Sequence, residues 1–169
     1  MWDLGAARLH GARPALDLLM SIEEIRANFE LLDDWEDRYR YVIELGRALP
    51  ALEDSLRTDA NKVRGCASQV WLVSHLQPDP SDGSPRIRYE GDSDAHIVRG
   101  LIAILLTALD GLTAAQIAAT DLNSIFDELG LKDHLTPQRS NGLAAMIERV
   151  RRDAQAAMSG ADAEDAGRA

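Results

Sequence analysis

The first half of the chain carries apolar residues at helical spacing. Ser21 followed by Glu24 three positions later is typical of a helix start, and Asp33 followed by Glu36 indicates a second one. That second helix is expected to stop near Pro50, since proline cannot continue a helix. The positions predicted to face inward are Ile22, Ile25, Phe29 and Leu32 in the first helix, and Trp35, Tyr39, Val42, Ile43 and Leu49 in the second.

The pattern changes to alternation after residue 60. Residues 69–76 and 86–90 are typical of strands, because apolar and polar side chains take turns along them. Residues 77–84 between them are rich in proline, aspartate and glycine, which predicts a turn. The segments together predict an antiparallel hairpin with one solvated face. A short strand at residues 62–64 is expected to complete a three-stranded sheet.

The chain returns to a helical pattern after this hairpin. Asp92 or Ser93 is expected to cap a helix that is apolar around most of its circumference over residues 97–109, which indicates a buried central helix. The further signals are a capping box of Thr113 with Gln116, a short helix at 123–129 closed by Gly130, and a last helix beginning at Thr136 and Pro137. The order of elements predicts an α+β fold, with a small three-stranded antiparallel sheet packed against several helices.

Composition and charge narrow the class of protein. A chain of 169 residues, 46% apolar and 27% charged, fits one globular domain. The 28 acidic and 18 basic residues leave a net charge of −10, which disfavours nucleic acid and anionic membranes as partners. The longest apolar run, residues 101–106, is far shorter than the roughly 18 residues of a membrane span. These features predict a cytoplasmic domain of monomeric size, and they leave open whether the protein is a monomer or a weak homodimer.

Three segments of the chain differ in composition. Residues 1–20 mix glycine, proline and charged residues without a steady period, and are expected to form a loosely ordered extension rather than a secretory signal. Residues 21–158 carry the periodic patterns and form the single predicted domain. Residues 159–169 are small and acidic, and are expected to be a flexible tail.

Cys66 is the only cysteine, so neither an internal disulfide nor a zinc site built from several thiolates is possible. It follows Gly65 just before the first predicted strand, where glycine allows a tight turn and the thiol projects from a loop tip. The basic residues Lys62 and Arg64 favour the thiolate, which is the reactive form. The alternative is a buried structural cysteine, since a free thiol also behaves as a small hydrophobic group.

Other candidate side chains carry weaker signals. The four histidines lack the spacing of a metal site, and no metal is predicted: His10, His75, His96 and His134. A cysteine hydrolase would require one of them to meet Cys66 in space, which the sequence leaves open. Arg139 lies near the start of the last helix, where a cation opposes the helix dipole. It is either a solvated or ion-paired side chain or a contact for an anionic group.

The segment VRGCASQVW resembles the SufE family of sulfur acceptors, which work with a cysteine desulfurase that carries pyridoxal phosphate. The residues that match the family pattern are Gly65, Cys66, Ser68, Gln69, Val70 and Trp71. Similar stretches at residues 39–50, 91–106 and 134–147 occur in the family's order, so that the resemblance covers about residues 22–157. Ala67 and the long hairpin turn depart from the family, and both bear on the choice of partner.

The resemblance implies a fold like that of the IscU-type iron–sulfur scaffold proteins and a sulfur-accepting nucleophile at Cys66. The residues implied as partner contacts or loop supports are Arg64, Gly65, Ser68, Gln69, Asp94 and Arg139. The implied partners are a SufS-like desulfurase, which is stimulated and holds the pyridoxal phosphate, and a SufBCD-like iron–sulfur scaffold complex that receives the sulfur. The chain itself is expected to bind no cofactor. The alternative function is a non-catalytic adaptor with a structural Cys66.

Overall fold

The computed structural model describes residues 21–168, and the predicted extension at residues 1–20 lies outside this range. The elements in chain order are α1 (Ile22–Leu31), α2 (Trp35–Ala48), a 3-10 turn (Asp54–Leu56), β1 (Val70–Pro78), β2 (Pro85–Ser93), α3 (His96–Leu109), α4 (Ala114–Ala119), α5 (Leu122–Glu128), a second 3-10 turn (Lys132–His134) and α6 (Pro137–Arg168). The chain therefore has the predicted α+β architecture.

Side-chain caps begin several helices where the sequence predicts them. Ser21 Oγ accepts a hydrogen bond from the Glu24 backbone N–H at 3.2 Å, which caps α1. Thr113 and Gln116 form the reciprocal capping box at the start of α4. The cap of α2 is Asp34 rather than Asp33, one residue later than predicted. Local polar groups thus set these helix starts before any tertiary contact is considered.

The sheet contains two strands in the described residues, not the predicted three. β1 and β2 are antiparallel, with Val70 opposite Ser93. The expected third strand is only an isolated bridge between Lys62 and Trp71. The chain leaves this bridge because Gly65 turns it sharply, with a φ of +98°. A segment this short cannot continue the ladder.

One face of the hairpin packs on α3, which is the buried central helix that its apolar pattern predicts. The other face is not solvated over its whole length, and this corrects the expectation of one wet face. Trp71 and Val73 are buried there against Leu52 in the segment after α2. The guanidinium of Arg57 lies 5.1 Å from the Trp71 ring and covers it.

Asp92 is a buried ion-pair partner and not the predicted cap of α3. Its carboxylate is fully buried and accepts hydrogen bonds from the guanidinium groups of Arg57 and Arg99. It also accepts the Leu52 backbone N–H at 3.0 Å. Arg99 extends the network to the backbone carbonyls at the end of α2. The carboxylate therefore joins β2, α3 and the segment after α2, which the sequence pattern did not indicate.

The last helix starts at Thr136 and Pro137 as predicted and continues to Arg168. Its backbone is helical through the segment for which a flexible acidic tail is expected. Tyr89 of β2 donates a hydrogen bond to Asp153 of α6 at 2.9 Å, which ties this helix to the sheet. Burial raises the pKa of Tyr89, and the negative charge of Asp153 raises it further. Within the described residues, no helix is long and apolar enough to cross a membrane.

Candidate functional site

Cys66 lies on a short loop that connects the isolated bridge to β1. Val63, at the start of the loop, donates its backbone N–H to the Val70 carbonyl at 2.8 Å. Gly65 then takes a φ of +98°, a backbone conformation that favours glycine, and the chain reverses toward Cys66. Cys66 is half-buried and packs against the edge of the hydrophobic core. The thiol is thus neither locked in the core nor fully exposed.

The cysteine loop approaches α6 closely at Gly142. A Cβ placed on Gly142 would lie 2.5 Å from Cys66 Sγ and 3.0 Å from Cys66 Cβ. No side chain fits between this helix and the loop without a displacement, so glycine is required for the close approach. The sulfur therefore rests against the backbone of α6.

The end of the loop is fastened to the start of α3. The backbone N–H of Gln69 donates to Asp94 Oδ1 at 3.0 Å, and the backbone N–H of Asp94 donates to the Gln69 carbonyl at 3.3 Å. Both residues were predicted as loop supports, and the structure brings them together. By contrast, residues 64 and 65 form only a turn, and residues 64–68 make no backbone–backbone hydrogen bond of good geometry within the described chain. The loop has fixed ends and an unfastened middle.

Arg139 lies in the first turn of α6, one turn before Gly142. Its guanidinium donates to the hydroxyl of Tyr39 on α2 at 2.8 Å, and its backbone N–H donates to Thr136 Oγ1 at 3.2 Å. Arg139 thus has a neutral hydrogen-bond partner and no ion pair within the described residues. Arg139 thus lies on the helix that approaches Cys66 at Gly142, and it makes no hydrogen bond to the thiol.

Arg64 and Ser68 flank Cys66 on the same loop. Arg64 is exposed and Ser68 is half-buried, and neither side chain makes a hydrogen bond or ion pair with another described residue. The candidate residues therefore form two groups. Most of them lie on or against the loop, whereas Arg139 belongs to the helix that shelters it.

The described residues offer no histidine base for Cys66. His75 is hydrogen-bonded to Glu90 across the hairpin at 2.6 Å, and His134 stacks on Trp35 with ring centroids 3.6 Å apart. No hydrogen bond within residues 21–168 joins a histidine to Cys66. The same residues contain no group of three potential metal ligands. Within the part of the chain that the structure describes, Cys66 is thus a thiol without a hydrogen-bonded histidine.

Sequence reasoning missed Gly142 and Tyr39 as parts of this site. Gly142 interrupts a helical pattern, and an interior helical glycine costs about 1 kcal/mol relative to alanine, so it signals a close approach. That signal does not show which residue approaches the glycine. The apolar pattern of α2 predicts only that Tyr39 faces inward, and the bond of its hydroxyl to Arg139 spans 100 positions.

Comparisons with known proteins show what this chain is similar to. A family model described as the SufE Fe-S metabolism associated domain matches residues 23–154. An uncharacterised SufE-like protein of Rhizobium etli is 56% identical over 137 residues, which cover 81% of this chain and 91% of the relative. The sulfur acceptor protein CsdE of Escherichia coli is 42% identical over 131 residues, which cover 78% of this chain and 86% of the relative. The solution structure of a hypothetical protein from Thermus thermophilus has a similar fold, with a TM-score of 0.64 at 18% identity, covering 83% of this chain and 99% of that one.

Proposed function

The chain belongs to the SufE family, and from this premise we propose that it accepts persulfide sulfur from a cysteine desulfurase on Cys66. The observation that carries the proposal is the placement of the only cysteine on a loop with fixed ends and an unfastened middle. Such a loop can present a thiol to a partner and then return it to α6. A relative of this chain is named a sulfur acceptor, which supports the same role.

The transfer step is an exchange at sulfur. The Cys66 thiol loses its proton to solvent, and the thiolate attacks the terminal sulfur of a persulfide held on the desulfurase cysteine. A new S–S bond forms on Cys66 while the S–S bond of the donor breaks, and the donor cysteine leaves as a thiolate. One sulfur atom changes carrier, and neither protein needs an external oxidant or reductant.

The loop geometry suits both halves of this cycle. Displacement of residues 64–68 breaks no well-formed backbone hydrogen bond in the described chain, so the main cost of opening is the loss of the packing of Cys66 against the core. The Gln69–Asp94 pair keeps the loop end in place during that movement. On return, α6 covers one side of Cys66 and limits attack on the persulfide by other thiols. Arg64, Gly65 and Ser68 move with the thiol.

The wider proposal places this transfer in iron–sulfur cluster assembly in the cytoplasm. The partner desulfurase supplies the pyridoxal phosphate and is stimulated when its persulfide is removed. The sulfur then passes from Cys66 to an iron–sulfur scaffold complex. Arg139 and the adjacent start of α6 are assigned to partner contact, because this surface adjoins the loop.

The decisive experiment compares the wild-type protein with Cys66→Ser. After incubation with the cysteine desulfurase of the same organism and cysteine, mass spectrometry should find one added sulfur atom on the wild type and none on the variant. Circular dichroism should show an unchanged melting transition, since serine nearly preserves the side-chain volume. Sulfur added to Cys66→Ser would refute the assignment.

The same variant separates the alternative functions. An adaptor with a structural cysteine would stimulate the desulfurase equally well after Cys66→Ser, whereas a sulfur acceptor would lose its stimulation. A cysteine hydrolase would turn over a substrate without any partner, and the lack of a histidine bonded to Cys66 in the described chain disfavours it.

A further inference from the structure

A groove of about 500 Å³ opens beside the cysteine loop, between the segment that leads into it and α6. The charged residues that line it are Asp59, Lys62, Arg64, Glu148, Arg149 and Arg152. Ala145 lines the same groove, and a Cβ placed on Gly65 would lie 3.5 Å from the Ala145 side chain. The groove is therefore continuous with the loop that carries Cys66.

The charge of this groove is opposite to that of the whole chain. Its lining has four basic and two acidic side chains, a net charge of +2 on a protein with a net charge of −10. The guanidinium of Arg149 already has partners within the protein, since it donates hydrogen bonds to the Ala60 carbonyl at 3.1 Å and to Asp153 at 3.4 Å. Lys62, Arg64 and Arg152 form no ion pair with another side chain between residues 21 and 160. Three cations thus face the groove without an ion-paired acidic residue from that part of the chain.

We infer that this groove binds an acidic surface segment of the donor desulfurase and so places the donor's persulfide next to Cys66. The inference rests on the proposed function and names a docking contact for it. Arginine pairs well with aspartate and glutamate because its planar guanidinium donates two parallel hydrogen bonds to a carboxylate. Arg64 lines the groove and lies two residues from Cys66, so a carboxylate paired with Arg64 lies close to the cysteine loop.

The net charge of the chain favours a protein segment over a nucleic acid as the occupant. A duplex would bring a long array of phosphates against the acidic remainder of the surface. A short acidic segment brings a few charges, which matches the groove. The remaining acidic chain surface repels other acidic surfaces, so the groove also selects the orientation of docking.

The test reverses two exposed groove charges in the double variant Arg64→Glu/Arg152→Glu. The matched control is Arg47→Glu/Arg151→Glu, which makes the same change in net charge outside the groove lining. The activity of the desulfurase of the same organism is titrated with each protein at low and high salt. For the groove variant at low salt, the half-saturating concentration should rise about tenfold, as expected for two interfacial charges at roughly 0.7 kcal/mol each.

Two further readings of the same titration bear on the inference. The difference between the groove variant and the control should shrink at high salt, because salt screens the attraction between surface charges. Equal half-saturating concentrations for the two double variants would overturn the docking contact. If inorganic phosphate inhibits saturably at constant ionic strength while the two double variants have the same half-saturating concentration, the groove binds small anions, and the docking contact is overturned as well. A wild type that accepts no sulfur would instead refute the proposed function.

Discussion

Gly142 offers a direct test of how the fold shelters Cys66. In Gly142→Ala, the added Cβ would lie 2.5 Å from Cys66 Sγ and 3.0 Å from its Cβ. Nonbonded heavy atoms normally approach to about 3.5–4.0 Å, so the Cys66 sulfur must turn away, and the short distance between the two Cβ atoms requires the loop or the helix to shift by about 0.5 Å as well. Residues 64–68 have no backbone–backbone hydrogen bonds of good geometry in the described chain, whereas α6 is continuously hydrogen-bonded. The loop is therefore expected to move.

The magnitude follows from two opposing effects on the free energy. Overpacking of this kind costs about 1–3 kcal/mol in the sheltered arrangement. If the loop leaves that arrangement, the same energy shifts its equilibrium toward an open state by about 5- to 150-fold. Replacement of an interior helical glycine by alanine meanwhile stabilises the helix by about 1 kcal/mol. The reactivity of Cys66 should thus change far more than the free energy of unfolding.

The assay is the rate constant of Cys66 labelling by a thiol reagent, measured beside urea denaturation. Gly160→Ala is the matched control, because Gly160 lies in the same helix and has nothing within 4 Å of an added Cβ. Gly142→Ala should be labelled at least about fivefold faster than the wild type, and Gly160→Ala at the wild-type rate. An unchanged labelling rate with a loss of about 3 kcal/mol or more in stability would refute a displaceable loop and indicate a rigid one.

Two predictions concern stability. Asp92→Ala should lower the free energy of unfolding by about 3–5 kcal/mol in urea denaturation, because Arg57 and Arg99 both lose their buried ion-pair partner. The exposed Asp110→Ala should change it by less than about 0.5 kcal/mol, and similar losses in both would contradict the buried-pair account. Because the pKa of Tyr89 is raised in the folded protein, its neutral hydroxyl contributes to the free energy of unfolding. This contribution is fully present below about pH 10, the ordinary tyrosine pKa, and declines above it. Tyr89→Phe also loses the hydrogen bond to Asp153, so its free energy of unfolding should be lower than that of the wild type by about 1 kcal/mol at neutral pH. When urea denaturation is repeated at increasing alkaline pH, this free energy should fall less steeply for the variant than for the wild type. Parallel curves of stability against pH for the two proteins would contradict the prediction.

The sequence alone determined the starts of α1, α4 and α6, the hairpin and the buried central helix. These features depend on residues close together in the chain, as with Ser21 and Glu24 or Thr113 and Gln116. The apolar circumference of α3 likewise reports its own burial. The cysteine motif and its resemblance to the SufE family were also visible, because the matching residues are nearly contiguous.

Only the tertiary structure decided which distant residues surround that motif. The contact of Gly142 with Cys66 spans 76 positions, and the assembly of the basic groove joins residues 59–64 to the middle of α6. Asp92 was predicted as a helix cap, since an aspartate before a helix is the usual signal. In the structure its carboxylate instead forms ion pairs with Arg57 and Arg99, which lie in other segments. The third strand was lost to the turn at Gly65. Local propensity records what a segment prefers by itself, whereas these contacts depend on how helices and loops meet after they pack.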